Sequence, residues 1–270
     1  MRLLSWHNAA GLKVILTRPG AAVDGRQLLF NWRLTVLVKL SHTIGFVTEV
    51  AQITEPSPAV RGVIFDWGGV ITNPIIDTVQ AWLAADRIDR DSYAAVMRPW
   101  VQRAYGPDQQ DSPIHALERG EVSDAEFEQT LAALLVSVDG GAVPADGLLT
   151  RMFAASVIQD QMLDLIRELR GKGLRIGLLS NSWGARTGYP RDILDELFDD
   201  AVISGLVGMR KPEERIFRLA ADRLGLPPAE CVFVDDVEGN IVAARALGFA
   251  VVRHSEPAAT KAELTKLLGH

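Results

Sequence analysis

Cysteine is almost absent from this sequence, and its scarcity excludes two kinds of site. Cys231 is the single cysteine among 270 residues. One thiol forms no disulfide within the chain and cannot build a zinc site of several cysteines. The five histidines are well separated and show no metal-ligand spacing. This usage is typical of a protein of the reducing cytoplasm, which is where we expect it.

An excess of positive charge is also lacking. Lysine and arginine number 28 against 34 aspartate and glutamate residues, which gives a formal net charge of −6 at pH 7. The basic residues are scattered and form no basic face, so the sequence argues against nucleic acid as the main partner. A small-molecule partner is favoured, and the oligomeric state is left open. With 48% hydrophobic residues, the chain can build a packed core.

Residues 1–60 contain neither a membrane span nor any of the chemistry found later in the chain. Their most apolar run, residues 34–53, is interrupted by Lys39, His42 and Glu49, whereas a membrane helix needs about 20 apolar residues. The first ten residues do not resemble a signal peptide. Alternating apolar residues at 33–40 indicate either a strand or a loosely ordered segment. We therefore treat residues 1–60 as an N-terminal extension of unknown role.

Strand and helix patterns alternate from Gly62 onwards. Four short apolar runs predict strands, at residues 63–65, 176–179, 201–203 and 232–234. Helical patterns at 161–170 and 216–224 end at glycine and lead into the next strand. This alternation is typical of a parallel sheet covered by helices.

Residues 77–155 show several helical patterns and no convincing strand. Helices are predicted at residues 76–85, 92–104 and 125–136. Ser123 and Glu126, at the start of the last of them, have the spacing of a capping box. The segment therefore predicts a helical cap inserted into a core that is formed by residues 61–76 and 156–270.

Residues able to bind phosphate or metal follow the predicted strands. They are Asp66 after the first run, Ser180 and Asn181 after the second, and Asp235 and Asp236 after the fourth. In an open parallel sheet, ligands bind outside the carboxyl ends of the strands, so we expect these residues to converge. Lys211, which lies beyond the third run, supplies a positive charge.

Taken together, these segments resemble the four ordered motifs of the haloacid dehalogenase superfamily of hydrolases, subfamily IA, and in particular its epoxide-hydrolase-like variant. The matching stretches are Val63-Ile64-Phe65-Asp66-Trp67-Gly68-Gly69-Val70, Leu178-Leu179-Ser180-Asn181, Lys211-Pro212, and Val232-Phe233-Val234-Asp235-Asp236 with Asn240. Four motifs in this order are specific, whereas one alone is not. The resemblance covers residues 61–254 and implies an α/β fold, a Rossmann-like parallel sheet with helices on both faces and an inserted α-helical cap.

The resemblance also implies the roles of the acidic residues. Asp66 would attack phosphorus to form an aspartyl-phosphate, which divides one hard displacement into two easier ones. A Mg²⁺ ion would be held by the Asp66 carboxylate, the backbone carbonyl of Gly68 and the Asp236 carboxylate, with Asp235 acting from behind them. Its charge would offset the repulsion between the carboxylate and the phosphate.

Further residues are implied to bind the phosphate. Lys211 would neutralise charge on Asp66 and on the transferring group, and Ser180 and the Asn181 backbone would donate hydrogen bonds to phosphoryl oxygens. Asn240 would orient the acidic pair. For Asp235 and Asn240, a purely structural role is an equally good interpretation.

Gly68 departs from the usual phosphatase motif. Most phosphatases of this superfamily have a second aspartate at that position, which protonates the leaving group and then activates water. General acid–base catalysis contributes roughly 10²- to 10⁴-fold to a rate, so the enzyme is slow, its leaving group needs little protonation, or another group substitutes. We expect activity to remain, with a cap residue or the substrate itself as the proton donor.

Three functions remain open from the sequence. A Mg²⁺-dependent hydrolase of a small phosphomonoester is the main prediction. Carbon–halogen hydrolysis would use the same Asp66 without a metal, and the acidic pair argues against it. A catalytically weak or silent regulatory protein would explain Gly68 and the extension, but it has no need of an intact nucleophile and lysine. Five loop residues are candidates for a pocket wall, although such residues more often pack or face solvent: Trp67, Trp183, Arg186, Tyr189 and Arg191.

Overall fold

The computed structural model describes residues 59–106, 111–184 and 188–269, together with the backbone of five short strands earlier in the chain. The chain divides into two compact units, Met1–Ser57 and Pro58–His270. The other residues of the predicted extension, up to 58, lie outside the described residues.

The first unit contains antiparallel strands. They are β1 (Leu4–His7), β2 (Lys13–Thr17), β3 (Arg33–Leu37), β4 (Lys39–Leu40) and β5 (Thr43–Ile44). The first three form one sheet with β2 in the middle, and β4 pairs with β5. Within residues 33–40 the structure has strand at 33–37 and at 39–40, and residue 38 lies outside the described residues.

The second unit is built on a five-stranded parallel sheet in the order β10-β9-β6-β7-β8. Its strands are β6 (Gly62–Phe65), β7 (Arg175–Ser180), β8 (Asp200–Ile203), β9 (Cys231–Asp235) and β10 (Ala250–Arg253). The four predicted strands are confirmed, and β10 was missed. It is an edge strand in which Val252 alone is fully buried, so its apolar pattern is weak.

Helices account for most of the rest of this unit. They are α1 (Ile75–Ala85), α2 (Arg90–Tyr105), α3 (Pro113–Glu118), α4 (Asp124–Ala132), α5 (Leu148–Met152), α6 (Asp160–Gly171), α7 (Arg191–Leu197), α8 (Ser204–Val207), α9 (Glu214–Arg223), α10 (Glu238–Ala246) and α11 (Pro257–Leu268). Among the residues that the structure describes, no helix is long and apolar enough to cross a membrane.

Two hydrophobic clusters lie on opposite faces of the sheet. Side chains alternate between the faces along a strand, so Val63 and Phe65 of β6 pack in one cluster and Ile64 packs in the other. The first cluster includes buried residues of α6 and α11, and the second includes buried residues of α9 and α10. The α/β fold with helices on both faces is therefore confirmed.

Helices α1 to α5 share a third hydrophobic cluster. It contains Val79 and Trp82 of α1, Met97 of α2, Phe127 of α4 and Met152 of α5. The capping box before α4 is present as predicted, with Ser123 N donating to Glu126 Oε2 at 2.8 Å and Glu126 N donating to Ser123 Oγ at 3.2 Å.

The prediction that the helix at 125–136 continues to Val136 was wrong. Helix α4 ends at Ala132, and Val136 instead makes a β-bridge with Ala142. Ser137 makes another with Ile88. Backbone pairing of Val136 and Ser137 with other segments replaces the last helical turn that the apolar pattern favours.

The first testable prediction concerns Cys231. The thiol is fully buried at the start of β9, and burial raises its pKa to about 12. Because the thiolate is the reactive form, we expect no reaction of the native protein with a thiol-specific reagent at pH 8, and one equivalent of reaction in denaturant. Rapid stoichiometric labelling of the native protein would contradict this burial.

Candidate active site

The carboxyl edge of the sheet brings together residues that are far apart in sequence. Asp66 follows β6, Ser180 ends β7 and Asp235 ends β9, and β6 lies between the other two strands. The backbone N–H of Asp66 extends the β6–β9 ladder by donating to Val234 O at 2.9 Å. The parallel sheet therefore brings these three residues together at one edge, as predicted.

Asp66, Asp235 and Asp236 form a compact acidic cluster. Each offers one carboxylate oxygen, and these oxygens lie within 4.8 Å of one another. Asp66 and Asp235 are buried and Asp236 is partly buried. Burial raises the pKa of Asp66 to about 7, an effect that Lys211 opposes and that Asp235 and Asp236 reinforce. Burial and the charge of Asp235 also raise the pKa of Asp236.

The ammonium of Lys211 lies between two of these carboxylates. Its Nζ is 2.8 Å from Asp66 Oδ1 and 2.7 Å from Asp235 Oδ2, and only 1% of its side chain is exposed. Burial lowers the pKa of Lys211, but the charges of Asp235 and Asp66 outweigh burial and raise it overall. Lys211 therefore stays protonated.

Asn181 fixes the backbone at Lys211. Its side-chain Nδ2 donates to Lys211 O at 3.0 Å, and Lys211 N donates to its Oδ1 at 2.7 Å. The side-chain amide of Asn181 thus holds the loop that carries the lysine. This contact was not predicted, since only the backbone of Asn181 was expected to have a role.

Hydrogen bonds surround the carboxylate of Asp235. Asn240 Nδ2 lies 3.1 Å from both of its oxygens, and Val237 N donates to Oδ1 at 2.8 Å. With Lys211 also bound, both oxygens are engaged by protein groups. Asp235 thus positions the ammonium of Lys211, and Asn240 positions the carboxylate of Asp235.

The hydroxyl of Ser180 lies 2.9 Å from the hydroxyl of Tyr189. Burial raises the pKa of Tyr189, so its hydroxyl stays protonated. The Tyr189 ring is 5.5 Å from that of Trp67, and both residues line a cavity beside Ser180. Trp183 lines it as well, whereas Arg186 lies outside the described residues. From the sequence, packing or solvent exposure was favoured for these loop residues over a place in a cavity wall.

Two cavities meet at Gly68. One, of about 470 Å³, includes Ser180 and Tyr189. The other, of about 430 Å³, includes Asp66 and Lys211. A Cβ added to Gly68 would lie 3.1 Å from Ile75 Cδ1, so an apolar side chain adjoins the position where an acid would project.

The acidic cluster suits a divalent cation. With three carboxylates ionised and one ammonium beside them, the group carries two excess negative charges. An all-oxygen donor set is what Mg²⁺ prefers. The loop after β6 also lies close to Asp236, because a Cβ at Gly69, where φ is +76°, would be 2.7 Å from Asp236 Oδ2. Asp66 and Asp236 are the residues that would hold the ion.

A buried ion pair links α3 to the residue before Lys211. Glu118 accepts hydrogen bonds from Arg210 Nε and from the Tyr105 hydroxyl, and neither member of the ion pair is more than 1% exposed. Arg119 binds Glu213 beyond the lysine, with Nη2 2.6 Å from Oε1. These contacts on both sides of Lys211 were not predicted.

This chain is similar in sequence to several known proteins. The family model of haloacid dehalogenase-like hydrolases matches residues 60–248. The chain is 27% identical over 246 residues to acyl-CoA dehydrogenase family member 10 of Mus musculus, covering 90% of this chain and 22% of that protein. It is 27% identical over 220 residues to a sesquiterpene phosphatase of Aspergillus oryzae, covering 77% of this chain and 97% of that protein. The chain thus spans about a fifth of the mouse protein.

A solved structure shows the same fold. It is a HAD family enzyme of Bacteroides thetaiotaomicron in complex with magnesium and inorganic phosphate. The TM-score is 0.51 at 24% sequence identity, and the match covers 73% of this chain and 95% of that one.

A second testable prediction concerns the buried ion pair. We expect Glu118→Ala to lower the free energy of unfolding by about 3–5 kcal/mol, because it leaves the Arg210 guanidinium buried without its carboxylate. Urea denaturation measures this change. Glu196→Ala, which removes an exposed partner of Arg167, is the control and should leave the midpoint almost unchanged. Equal effects of the two substitutions would contradict the assignment.

A third prediction concerns Gly69. Alanine there should displace the Asp236 carboxylate and weaken Mg²⁺ binding by about tenfold or more, measured by calorimetry. Gly140→Ala is the matched control, since its φ is +77° and a Cβ there has nothing within 4 Å. Both variants carry the left-handed backbone cost of roughly 1–2 kcal/mol, so only the contact with Asp236 distinguishes them. Unchanged Mg²⁺ affinity in Gly69→Ala would be the contrary result.

Proposed function

The chain belongs to the haloacid dehalogenase-like hydrolases, and on this premise we propose that it is a Mg²⁺-dependent phosphatase of a small phosphomonoester, with Asp66 as the covalent nucleophile. The observation that carries the proposal is the contact of Lys211 with both Asp66 and Asp235, beside Asp236. Two related proteins add support. The Aspergillus relative is a phosphatase, and the Bacteroides enzyme holds magnesium and phosphate.

Asp66 is oriented for attack by contacts to one of its oxygens. Lys211 Nζ and the backbone N–H of Trp67 both bind Oδ1, the latter at 2.7 Å. A carboxylate oxygen forms a bond to phosphorus while the bond from phosphorus to the ester oxygen breaks. Water then attacks phosphorus, which releases inorganic phosphate and restores the Asp66 carboxylate.

Charge balance is the main requirement of this reaction. Bound Mg²⁺ would neutralise the carboxylates and the phosphate so that the two can approach. Lys211 opposes the rise that burial causes in the pKa of Asp66 and so favours its ionised, nucleophilic form. Ser180 and the backbone of Asn181 would donate hydrogen bonds to phosphoryl oxygens, where charge accumulates in the transition state.

The proton for the leaving oxygen has to come from a group other than residue 68. Glycine has no acid to offer, so a residue of the cap, taken as residues 77–155, or the substrate itself would supply it. The proposal therefore includes slow turnover of substrates that depend on strong general-acid catalysis.

The fourth prediction tests the nucleophile and the metal together. We expect the full-length protein to hydrolyse phosphate esters with Mg²⁺, and we expect both chelator and Asp66→Asn to reduce kcat by at least about a thousandfold. Phosphate release from a broad panel of esters is the measurement. Asp77→Asn is the matched control, because Asp77 is exposed on α1 and lines neither cavity.

Two further outcomes distinguish the other two functions, a dehalogenase and a silent regulatory protein. Halide release from haloacids that survives chelator would favour a dehalogenase, which needs no metal. A protein without Mg²⁺-dependent turnover on any ester would favour the silent regulatory protein, provided that circular dichroism shows it folded.

A further inference from the structure

The cavity that contains the reacting groups has mostly apolar walls, and we name it the apolar cavity. Asp66, Lys211 and Asp236 lie at its polar end. Apolar side chains from three helices and the loop after β7 form much of the rest, namely Ile76, Val79, Met97, Val101, Met152 and Trp183. Its volume of about 430 Å³ is within the range of small-molecule sites.

Some of these apolar side chains are exposed to water. The exposed fraction is 44% for Ile75, 59% for Ile76 and 41% for Val101, and all three line the apolar cavity. Apolar surface that faces water inside a concave site loses its hydration cost when an apolar ligand covers it. These residues therefore favour a hydrocarbon occupant.

The helices contribute almost no charged groups to the apolar cavity. Among the described residues that α1 to α5 contribute to the cavity, the single charged one is Glu118, and it is bound to Arg210 and Tyr105. Burial raises the pKa of Tyr93 to about 12, so this residue is neutral. A polyhydroxylated or charged leaving group would lose its hydration here and find few partners.

The apolar wall extends to the reacting end. Ile75 lines both cavities, and its Cδ1 lies 3.1 Å from the point where a Cβ on Gly68 would be. The first carbons of a leaving group beside Asp66 would therefore contact a hydrocarbon surface.

The other cavity is more polar and includes Ser180, but it does not include the nucleophile or the lysine beside it. Thr72, Thr78 and Ser156 line it, whereas Asp66, Lys211 and Asp236 do not. A leaving group has to begin at the phosphorus that Asp66 attacks. The apolar cavity is consequently the one that receives it.

We propose that the substrate is the phosphate monoester of an uncharged, predominantly hydrocarbon alcohol, whose hydrocarbon part occupies the apolar cavity. This inference rests on the proposed phosphatase function and adds the substrate class. The phosphate lies at Asp66 and Lys211, and the chain extends between α1 and α2 past Ile76 and Val101.

The test compares ethyl, butyl, hexyl and octyl phosphate with Mg²⁺, below their micelle concentrations. We expect kcat/KM to rise by about two- to fourfold for each added methylene until the cavity is filled. A hexitol 6-phosphate has the same six-carbon length as hexyl phosphate, and we expect its kcat/KM to be at least about tenfold lower, because its buried hydroxyls lack partners.

Two variants connect the preference to the cavity. Ile76→Asp and Val101→Asp alter walls on different helices at exposed positions, and each should lower the octyl-to-ethyl ratio of kcat/KM by about tenfold or more. Leu134→Asp is the matched control, since Leu134 is 51% exposed and lies outside the cavity. It should keep the wild-type ratio.

The outcomes separate the two levels of the proposal. Hydrolysis of ethyl phosphate without a rise along the series, or a preference for the hexitol phosphate, would overturn the substrate class and leave the phosphatase function standing. The same ratio in all three variants would also overturn it. If no ester of either kind is hydrolysed, the phosphatase function fails and the substrate class fails with it.

Discussion

The buried ammonium of Lys211 is the interaction on which the site depends. It contacts Asp66 and Asp235 where three carboxylates gather within 4.8 Å. Without that charge, burial and mutual repulsion would favour the protonated, non-nucleophilic form of Asp66. One ammonium balances only part of the acidic charge, and the remainder attracts a cation. A single lysine thus favours the ionised carboxylate that the proposed nucleophile and the proposed metal ligand both require.

Several parts of the fold hold Lys211 in position. Asn181 at the end of β7 binds both of its backbone groups, and Asp235 at the end of β9 binds its ammonium. The preceding Arg210 is bound to Glu118 of α3. Helix α3 is therefore connected to the reacting centre through Arg210, the neighbour of Lys211 in the chain. A displacement of this helix would be transmitted to Lys211.

Much of this arrangement could be predicted from sequence because it follows from local rules. Each strand around Asp66, Ser180 and Asp235 is a short apolar run, and a parallel sheet brings such ends together. Strand β10 could not be found in this way, since an edge strand with partly exposed residues lacks a clear pattern. The pairing of Arg210 with Glu118 joins residues 92 positions apart, which no local pattern connects. The hydrogen bond of Tyr189 with Ser180 likewise depends on how a loop folds back.

Two features of position 68 bear on the leaving group. Glycine lacks the usual acid, and a Cβ at this position would lie 3.1 Å from Ile75 Cδ1. An acid at that position would be a polar group against a hydrocarbon wall, where an unpaired polar group costs roughly 2–7 kcal/mol. Glycine is therefore consistent with an apolar leaving group. Among the described residues, α1 to α5 contribute two hydroxyls to the apolar cavity, and that of Tyr105 already donates to Glu118. If a cap residue in the apolar cavity donates the proton, Tyr93 is the hydroxyl that is left to do so.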